Sequence, residues 1–573
     1  LHYPLRRQRQ MCIRDSKEAS FNCNFSIELR SSSKSSVSTG YIPAKTIGFT
    51  SSNPFIGSFA GFWDTDKGDR LGYRIDPLVS EAQFINSQGN LHGITKALKV
   101  DSGAGSDLVV VDDTGDSVAN TDGNLTSSEL TGLGIGTNFS IHYNENSNTE
   151  EINVNLGISN DEFTVESTSA TTITRIEGRG GNDRINVKTN SGSTLLYGDS
   201  QTNTVTIGTQ SVIVNEGNDV FLVGSQTKSE IMLSEDGGVL DGINGLLQIF
   251  GGSSLVKSDQ LRVYDDGAVA NKLGNLEDNE ITGFNMQEGI KYNEIENLTL
   301  RLGDKDDDLL IRSTISGNTN IYAGASTSKD TINIVATGGP TTVSGQEGKD
   351  VIRVNYNRNG QTGLSGVTST LELQGNNGSD EYVIGLAASN TAIFDIVDNA
   401  SNGDGGVDSI EIYGNNDDNL FLFRATKDSA DKKAFVASYE VDNDLNPILG
   451  GYFERVNYNK DIEGITVNGR SGDDTFVFDD TSSIISVYGG AGVDGFQLGH
   501  VFNSGRDDMN PTNGLEISDY FSTTQTTRGF LSNGVSETAN LYGGDGNDSF
   551  IVYSNCLLYT SDAADEEDSV DLG

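Results

Sequence analysis

Three consecutive segments decide the fold: LTLRLGDKDDDLLIRS (298–313), TNIYAGASTSKDTINIVA (319–336) and TTVSGQEGKDVIRVNY (341–356). Each segment has an alternating strand, a turn rich in Gly, Ser and Asp, and a second strand. The aspartates that open the second strands, Asp308, Asp330 and Asp350, are spaced 22 and 20 residues apart. A strand, a tight turn and a strand at this period are typical of one coil of a β-solenoid, whose alternate side chains face a shared core.

A longer repeat surrounds these coils. Tyr143, Tyr292 and Tyr458 each begin a Tyr-Asn pair that precedes an acidic spacer and two strands. The flanks before the first two copies, 108–136 and 261–286, also agree, whereas no such flank is recognisable before the third copy. The sequence therefore predicts an all-β protein with clusters of parallel β-solenoid coils, β-roll-like or β-helix-like, separated by irregular β segments.

The copies also predict an order of segments along the chain. Residues 17–90 carry neither repeat and remain unassigned. The predicted units are 91–260, 261–415 and 416–530, followed by the start of a truncated unit at 531–555.

The two chain ends lack the pattern of alternating strands and Gly-rich turns that the interior shows. LHYPLRRQRQMCIRDS (1–16) and CLLYTSDAADEEDSVDLG (556–573) resemble translated sequencing-adapter read-through, and we expect both to be artefacts. The alternative is a basic leader and an acidic tail. Without these ends only Cys23 remains, so we expect no disulfide framework and no cysteine metal site.

The composition restricts the class of partner. The 573 residues carry a formal net charge of −44, from 38 basic and 82 acidic side chains. Nucleic-acid phosphates require Lys and Arg, so this charge argues against nucleic acid as a partner. It is compatible with cation binding or with solubility alone. No apolar run approaches the roughly 20 residues of a membrane-spanning helix, so we expect no transmembrane segment.

Seven loops share Gly at position 1, Gly at position 4, Asp at position 6 and an apolar residue at position 8. They are GRGGNDRIN (178–186), GQEGKDVIR (345–353), GNNGSDEYV (375–383), GDGGVDSIE (403–411), GRSGDDTFV (469–477), GGAGVDGFQ (489–497) and GGDGNDSFI (543–551). The pattern resembles the calcium-binding nonapeptide of the repeats-in-toxin family, GGxGxDxUx. In that family each ion lies between loops on the same side of successive coils, so one loop supplies half a site.

The residue types suit this chemistry. Ca²⁺ takes six to eight oxygen ligands, which Asp carboxylates and backbone carbonyls provide. Gly permits positive φ, so we expect it to turn the carbonyls toward one point. The alternative is that these loops are only good turns, because Asp readily bonds its own backbone. That alternative is strongest for loops that have no neighbour one coil away, which is how most copies occur here.

The resemblance implies Ca²⁺ as the bound ion, and it names candidate ligands. Only the loops at 469–474 and 489–494 are both complete and one coil apart, so the main site is expected there. The candidate ligands of this pair are Gly469, Gly472, Asp473, Asp474, Gly489, Gly490, Gly492 and Asp494. Candidates in the other loops are Gly543, Gly544, Asp545, Gly546, Asp548, Gly178, Gly181, Asp183, Gly345, Gly348 and Asp350. Loop 543–548 matches the family best but has no equal loop one coil before it in sequence.

The function expected from these observations is not enzymatic. The sequence contains no HExxH, GxSxG or GxxxxGK[ST] motif. We expect a calcium-binding structural or adhesive repeat module, a fragment of a large secreted or cell-surface protein, with extracellular glycans or cell-surface molecules as candidate partners. The alternative is the non-catalytic repeat region of a secreted hydrolase or polysaccharide-active enzyme. A catalytic domain in the flanking sequence would favour that alternative.

Overall fold

The computed structural model describes residues 89–554 with short gaps, and three strand segments before them. The gaps are residues 145, 200–203, 208–209, 214–216, 227–236, 253–257, 364, 389–390, 399–405, 427–432, 441–447, 449–450 and 504–520. The early strands are Ile13–Arg14, Phe21–Asn22 and Phe59–Asp64. Apart from these strands, the expected artefacts at the chain ends and the unassigned segment 17–90 therefore lie outside the described residues, except for residues 89–90.

The described residues form strands and loops, with one 3₁₀ turn at Leu91–Gly93 and no α-helix. Their long sheets are parallel, which confirms the predicted all-β solenoid class. No helix in these ranges is long and apolar enough to cross a membrane. The chain forms two compact units: an N-terminal unit that ends with Gly238–Tyr264 and Met286–Glu296, and a C-terminal unit that contains Asp265–Asn285 and all residues from Asn297. The boundaries expected from the sequence repeats remain a prediction.

Two parallel sheets build the N-terminal unit, and the chain alternates between them once per coil. Sheet A contains, in spatial order, Asp107–Asp112, Glu151–Asn155, Ile173–Arg179, Thr194–Asp199, Leu247–Phe250 and Ile290–Asn293. Sheet B contains Gly123–Leu125, Glu162–Val165, Arg184–Val187, Val220–Val223 and Gln260–Tyr264. The strand Phe59–Asp64 pairs antiparallel with Asp107–Asp112.

Identical register from coil to coil produces straight rows of buried side chains. In sheet A, Val154, Ile176, Leu196, Ile249 and Tyr292 are register partners of one another along the stack and are all buried. Because strand side chains alternate between faces, a second buried row on the same face lies two residues earlier; it contains Ile152, Thr174, Thr194, Leu247 and Ile290. Each coil therefore buries its apolar face against the next coil, as expected for a solenoid.

The C-terminal unit repeats this arrangement. Its sheet C contains Leu273–Leu276, Asp308–Ile311, Thr331–Ile334, Val351–Val354, Glu381–Gly385, Ser409–Tyr413, Gly464–Ser471, Ile484–Ala491 and Ala539–Asp545. Its sheet D begins with Asn297–Arg301, Asn318–Tyr322, Thr341–Gly348, Leu371–Gly378, Thr391–Ile396 and Phe453–Tyr458. A second run, Thr475–Phe478, Gly495–Leu498 and Ser549–Val552, places Phe476, Phe496 and Phe550 in one stack with centroid separations of 4.9 and 4.6 Å.

Antiparallel meanders interrupt the parallel stacks. In the N-terminal unit, Gly123–Leu125, Glu129–Thr131 and Ile141–His142 form such a meander, and its outer strands pair in parallel with neighbouring coils. In the C-terminal unit, Leu420–Ala425, Ala434–Tyr439 and Phe453–Tyr458 do the same. The hairpin of Leu273–Leu276 and Glu280–Gly283 lies in the second repeat copy. The strands Leu420–Ala425 and Ala434–Tyr439 form the corresponding hairpin before the third copy, where the sequence shows no recognisable flank.

Smaller strands complete the described structure. They are Leu98–Lys99, Thr204–Ile207 with Gln210–Ile213, Ala336–Thr337 with Gly366–Val367, Tyr356–Asn357 with Gly360–Gln361, and the three-stranded sheet of Val501–Phe502, Gly529–Ser532 and Thr523–Thr526.

Candidate metal centre in the stacked Gly-Asp loops

Three Gly-Asp loops of the C-terminal unit lie directly on one another. Arg470 is the register partner of Gly490, which in turn partners Gly544. The amide of Gly472 donates to the carbonyl of Ala491 at 3.1 Å, and the amide of Gly492 donates to the carbonyl of Asp545 at 2.9 Å. The expected pair 469–474 and 489–494 is therefore brought together, and loop 543–548 is the next member of the same stack.

This stacking corrects the expectation that loop 543–548 has no partner. The intervening residues include the three-stranded antiparallel sheet, which lies outside the coil path. Asp494 and Asp548 are therefore 54 residues apart in sequence but adjacent in the stack. Sequence spacing failed here because it assumes that each coil has a constant length.

Loops 178–183, 345–350 and 375–380 are not isolated either, whereas residues 403–405 of loop 403–411 lie outside the described residues. Gln346 and Gly348 are register partners of Asn376 and Gly378, so loop 345–350 lies against loop 375–380. On its other side the amide of Lys349 donates to the carbonyl of Ser328 at 3.1 Å. Loop 178–183 likewise has neighbours on both sides, because Asp183 is hydrogen-bonded to Asp161 and to Asp219. The strongest argument for reading these loops as mere turns, their isolation, is therefore removed.

Glycine at position 1 is required by close packing. A Cβ atom added to Gly469, Gly489 or Gly543 would lie 2.1–2.3 Å from Oδ2 of the position-6 aspartate in the same loop. None of these three residues has positive φ, so the expectation of a left-handed backbone is wrong at position 1. It holds at position 4, where Gly472, with φ of 124°, and Gly492, with φ of 152°, adopt conformations that favour glycine.

The position-6 aspartates form hydrogen-bonded ladders along the stack. In each step the Oδ1 atom accepts the backbone N–H of the equivalent residue in the preceding coil. Asp474 N–H donates to Asp494 Oδ1 at 2.9 Å, and Asp494 N–H donates to Asp548 Oδ1 at 3.0 Å. Two further ladders run through Asn120, Asp161, Asp183, Asp219, Asp259 and Glu296, and through Lys272, Asp307, Asp330, Asp350, Asp380, Asp408 and Glu463.

The ladder members differ from the sequence expectation in two ways. Asp307, not Asp308, occupies the ladder, and Asp308 instead pairs with Arg358 at 2.9 Å. Glutamates end the two longer ladders, where Glu296 and Glu463 accept the amides of Asp259 and Asp408. Glu150 accepts the amide of Asp107 in the same way. These three glutamates belong to the acidic spacers that follow the Tyr-Asn pairs. The recurrence of Glu in that spacer was the signal that could have identified this role.

Other ladder loops escaped sequence reasoning because residues are inserted between positions 1 and 6. A Cβ on Gly198 would lie 2.2 Å from Asp219 Oδ2, which is the contact made within the complete loops. Gly251 and Asp259 repeat this relation at 2.8 Å. Position 1 and position 6 thus meet in space although the six-residue spacing of the motif is lost.

Burial disfavours the charged form of the ladder carboxylates. Burial is the largest cause that raises the pKa of Asp474 to about 7, of Asp350 to about 8 and of Asp183 to about 10. Burial also raises the pKa of Asp494. No donor reaches Oδ2 of any of these four aspartates. A buried carboxylate oxygen without a donor is costly unless a proton or a cation compensates it.

The oxygen atoms available at the stacked loops suit a hard cation. Asp494 Oδ2 and the carbonyl oxygen of Gly543 lie near each other beside Gly489, since a Cβ atom added there would meet them at 2.3 and 2.5 Å. The carbonyl of Gly489 approaches Gly469 in the same way, at 2.6 Å. In the described part of the chain, no three His, Cys, Asp or Glu side chains form a cluster that could hold a metal. A cation at these loops would therefore need backbone carbonyls, as hard cations commonly do.

Two candidate ligands already have backbone partners. Asp473 Oδ1 accepts the amide of Val493 at 2.8 Å, and its own amide donates to Asp418 at 2.7 Å. The carbonyl of Asp545 accepts the amide of Gly492. Asp473 therefore belongs to an outer hydrogen-bonded row at position 5, beside the buried row of position-6 aspartates.

The raised pKa values predict that stability depends on pH in the absence of divalent cations. Burial raises the pKa of Asp219 to about 8, whereas an unfolded Asp has a pKa of about 3.9. The folded chain thus binds the extra proton, so this stability is present below pH 4 and is lost as pH rises through 8. Asp219→Asn keeps an acceptor for the Asp183 amide and removes the charge.

We expect Asp219→Asn to exceed the parent chain in stability by about 1–3 kcal/mol at pH 8 and to match it near pH 4. Thermal melts in chelator across pH 4–8 measure this difference. Asp278→Asn, at an exposed position, is the charge-matched control and should follow the parent chain at every pH. Parallel pH profiles for Asp219→Asn and the parent chain would contradict the prediction.

No family model and no curated protein matches this sequence.

Proposed function

We propose that this chain is a calcium-stabilised β-solenoid that acts as a structural or adhesive module of a secreted or cell-surface protein. The observation that carries the proposal is the in-register stack of the three loops 469–474, 489–494 and 543–548. Adjacent loops are what the repeats-in-toxin resemblance requires, because each loop supplies half of a site. The loops 345–350 and 375–380 form a further adjacent pair.

The residues that would hold the ion are those at the interfaces of this stack. Asp474 and Asp494 contribute buried carboxylates, and the position-1 glycines contribute carbonyl oxygens. Bound Ca²⁺ would supply positive charge to carboxylates whose Oδ2 atoms receive no donor. Asp494 lies between two loops, because its amide bonds Asp548 and its carboxylate bonds Asp474. It is therefore the residue whose charge matters to both interfaces.

The remaining parts of the proposal follow from the expected affinity. Loops of this type, built largely from carbonyls, are expected to bind with Kd of about 10⁻⁴–10⁻³ M, which is typical of extracellular modules. Sites of that affinity would be occupied at the millimolar calcium found outside cells, so the proposal includes a secreted or surface location. We assign no reaction to the chain, and extracellular glycans or cell-surface molecules are its proposed partners.

Thermal unfolding of the full chain tests the calcium proposal. At 10 mM CaCl₂ we expect each occupied site to add about 1–3 kcal/mol to the free energy of unfolding, relative to chelator. MgCl₂ at the same concentration should give a smaller effect, because Mg²⁺ requires a small octahedral site and loses its water reluctantly. Asp494→Asn keeps an oxygen acceptor for the Asp474 amide and should lose most of the calcium effect on residues 464–554.

The matched control is again Asp278→Asn, which removes one exposed charge outside the stack. It should retain the full calcium effect. If calcium changes neither the melting temperature nor the heat in a calorimetric titration of the parent chain, the stacked loops are turns and the proposal fails.

A further inference from the structure

Position 1 is not glycine in every coil of the C-terminal unit. One residue beyond the register partners Arg301, Tyr322 and Ser344, the row holds Leu302, Ala323 and Gly345. Strand Thr391–Ile396 pairs in register with strand Leu371–Gly378, with Leu373 opposite Ile396. Continued by two residues, this register places Asp398, just beyond the end of its strand, beside Gly375. The motif GDGGVDSIE (403–411) names Gly403 as position 1 of this coil, but the strand register gives the place of Gly375 to Asp398. Residues 399–405 lie outside the described residues. Position 6 of this coil is Asp408, which accepts the amide of Asp380 at 2.8 Å.

Asp398 places a second carboxyl beside the position-6 aspartate, which neither the glycines nor Leu302 and Ala323 do. At Gly375 even a Cβ atom would lie 2.2 Å from Oδ2 of Asp380. Asp398 is nevertheless fully buried, and its carboxyl lies within hydrogen-bond reach of the Asp408 carboxyl. The amide of Asn376 donates to Asp398 Oδ1 at 3.1 Å, and no donor reaches Oδ2.

Among the described residues, the groups that act on Asp398 include no Lys or Arg side chain. The buried phenol of Tyr382 faces the carboxylates of Asp398, Asp380 and Asp408, which raise its pKa further beyond the effect of burial. Burial, the hydrogen bond with Asp408 and the neighbouring charges raise the pKa of Asp398 to about 9. Two carboxyls in contact cannot both remain ionised without compensation.

We propose that Asp398 and Asp408 form a separate Ca²⁺ site built from side-chain carboxylates. The Gly-Asp loops rely on one carboxylate and several carbonyls at each step, whereas this coil supplies two facing carboxylates. More ligand charge raises the affinity of an oxygen site for Ca²⁺, so this site should fill before the stacked loops. The chemistry is that of a hard divalent cation, and the site does not depend on whether the Gly-Asp loops bind calcium.

Reversion to the repeat consensus tests the proposal. Asp398→Gly installs the residue that the complete loops carry at position 1. Calcium bound per chain is counted by equilibrium dialysis of the full chain, and calorimetric titration with CaCl₂ resolves the order of filling. We expect Asp398→Gly to bind one Ca²⁺ fewer per chain and to lose the tightest phase of the titration. Asp494→Asn should instead lose weaker phases and retain the tightest one.

An unchanged calcium count in Asp398→Gly, together with a higher melting temperature in chelator at pH 8, would overturn the proposal. That result would mean that the two carboxyls share a proton. If Asp398→Gly does not fold, Asp398→Asn, which keeps the side-chain volume, is judged by the same count. Loss of one ion in Asp398→Gly when Asp494→Asn changes nothing would support this site even if the calcium proposal for the stacked loops fails.

Discussion

Replacing Gly492 by alanine is expected to destabilise the last described coils by about 3–5 kcal/mol. Gly492 has φ of 152°, and a Cβ atom there would lie 1.9 Å from the carbonyl oxygen of Gly472 in the preceding coil. A strained backbone conformation of this kind costs about 1–3 kcal/mol, and overpacking against a fixed neighbour adds about 1–3 kcal/mol. The obstructing atom belongs to the backbone, so no side chain can move aside to relieve the overlap.

Hydrogen exchange across residues 464–554 measures this effect, because the stability of a solenoid is carried by neighbouring coils. Gly464→Ala is the matched control: a Cβ atom at Gly464 would meet no atom within 4 Å, and φ there is not positive. We expect the opening free energies that hydrogen exchange gives for the control to stay within about 0.5 kcal/mol of those of the parent chain. Equal exchange rates for Gly492→Ala and the control would show that the coils do not approach as closely as described.

Replacing Arg424 by methionine is expected to cost about 3–5 kcal/mol, because it removes the cation from a buried ion pair. Arg424 Nη2 lies 2.8 Å from Asp479 Oδ2, with the two side chains 5% and 1% exposed. The guanidinium also lies over the ring of Phe521, 4.3 Å from its centroid. Without Arg424 the carboxylate of Asp479 remains buried without its counter-charge.

A double-mutant cycle separates the ion pair from the loss of packing. The variant Arg424→Met with Asp479→Leu removes both charges, and we expect it to recover most of the lost stability, since apolar replacements of buried pairs are often neutral or stabilising. Denaturant unfolding of the four chains measures the coupling. A double variant as unstable as Arg424→Met alone would show that packing, rather than the uncompensated charge, causes the loss.

The period of strand and turn was sufficient to predict the solenoid class, because stacking forces every coil to repeat the same alternation. The sequence also identified the loop pair 469–474 and 489–494, where two coils of constant length follow each other. Sequence spacing did not identify the neighbour of loop 543–548. That neighbour is loop 489–494, and an antiparallel sheet is inserted between the two loops in sequence. Sequence spacing reports contacts only where nothing is inserted between coils.

The sequence of the motif predicted the role of glycine at position 4 but not its role at position 1. Positive φ at position 4 follows from the properties of glycine and was expected. The need for glycine at position 1 comes from the Asp474 and Asp494 carboxylates packing on it, which is a contact between folded parts. The ladder that links Asp183 to Asp219 could not be predicted, because it joins a complete motif to one whose halves are separated.

The separation of positions 1 and 6 has a consequence for how such a chain can change over time. Gly198 and Asp219, and likewise Gly251 and Asp259, keep the packing contact of a complete loop although residues have been added between them. A strand precedes this turn, and the ladder aspartate and the next strand follow it. Additional residues within the turn therefore leave the register of neighbouring coils unchanged. Chains that differ in length at this turn would therefore keep the same register in their stacked strands.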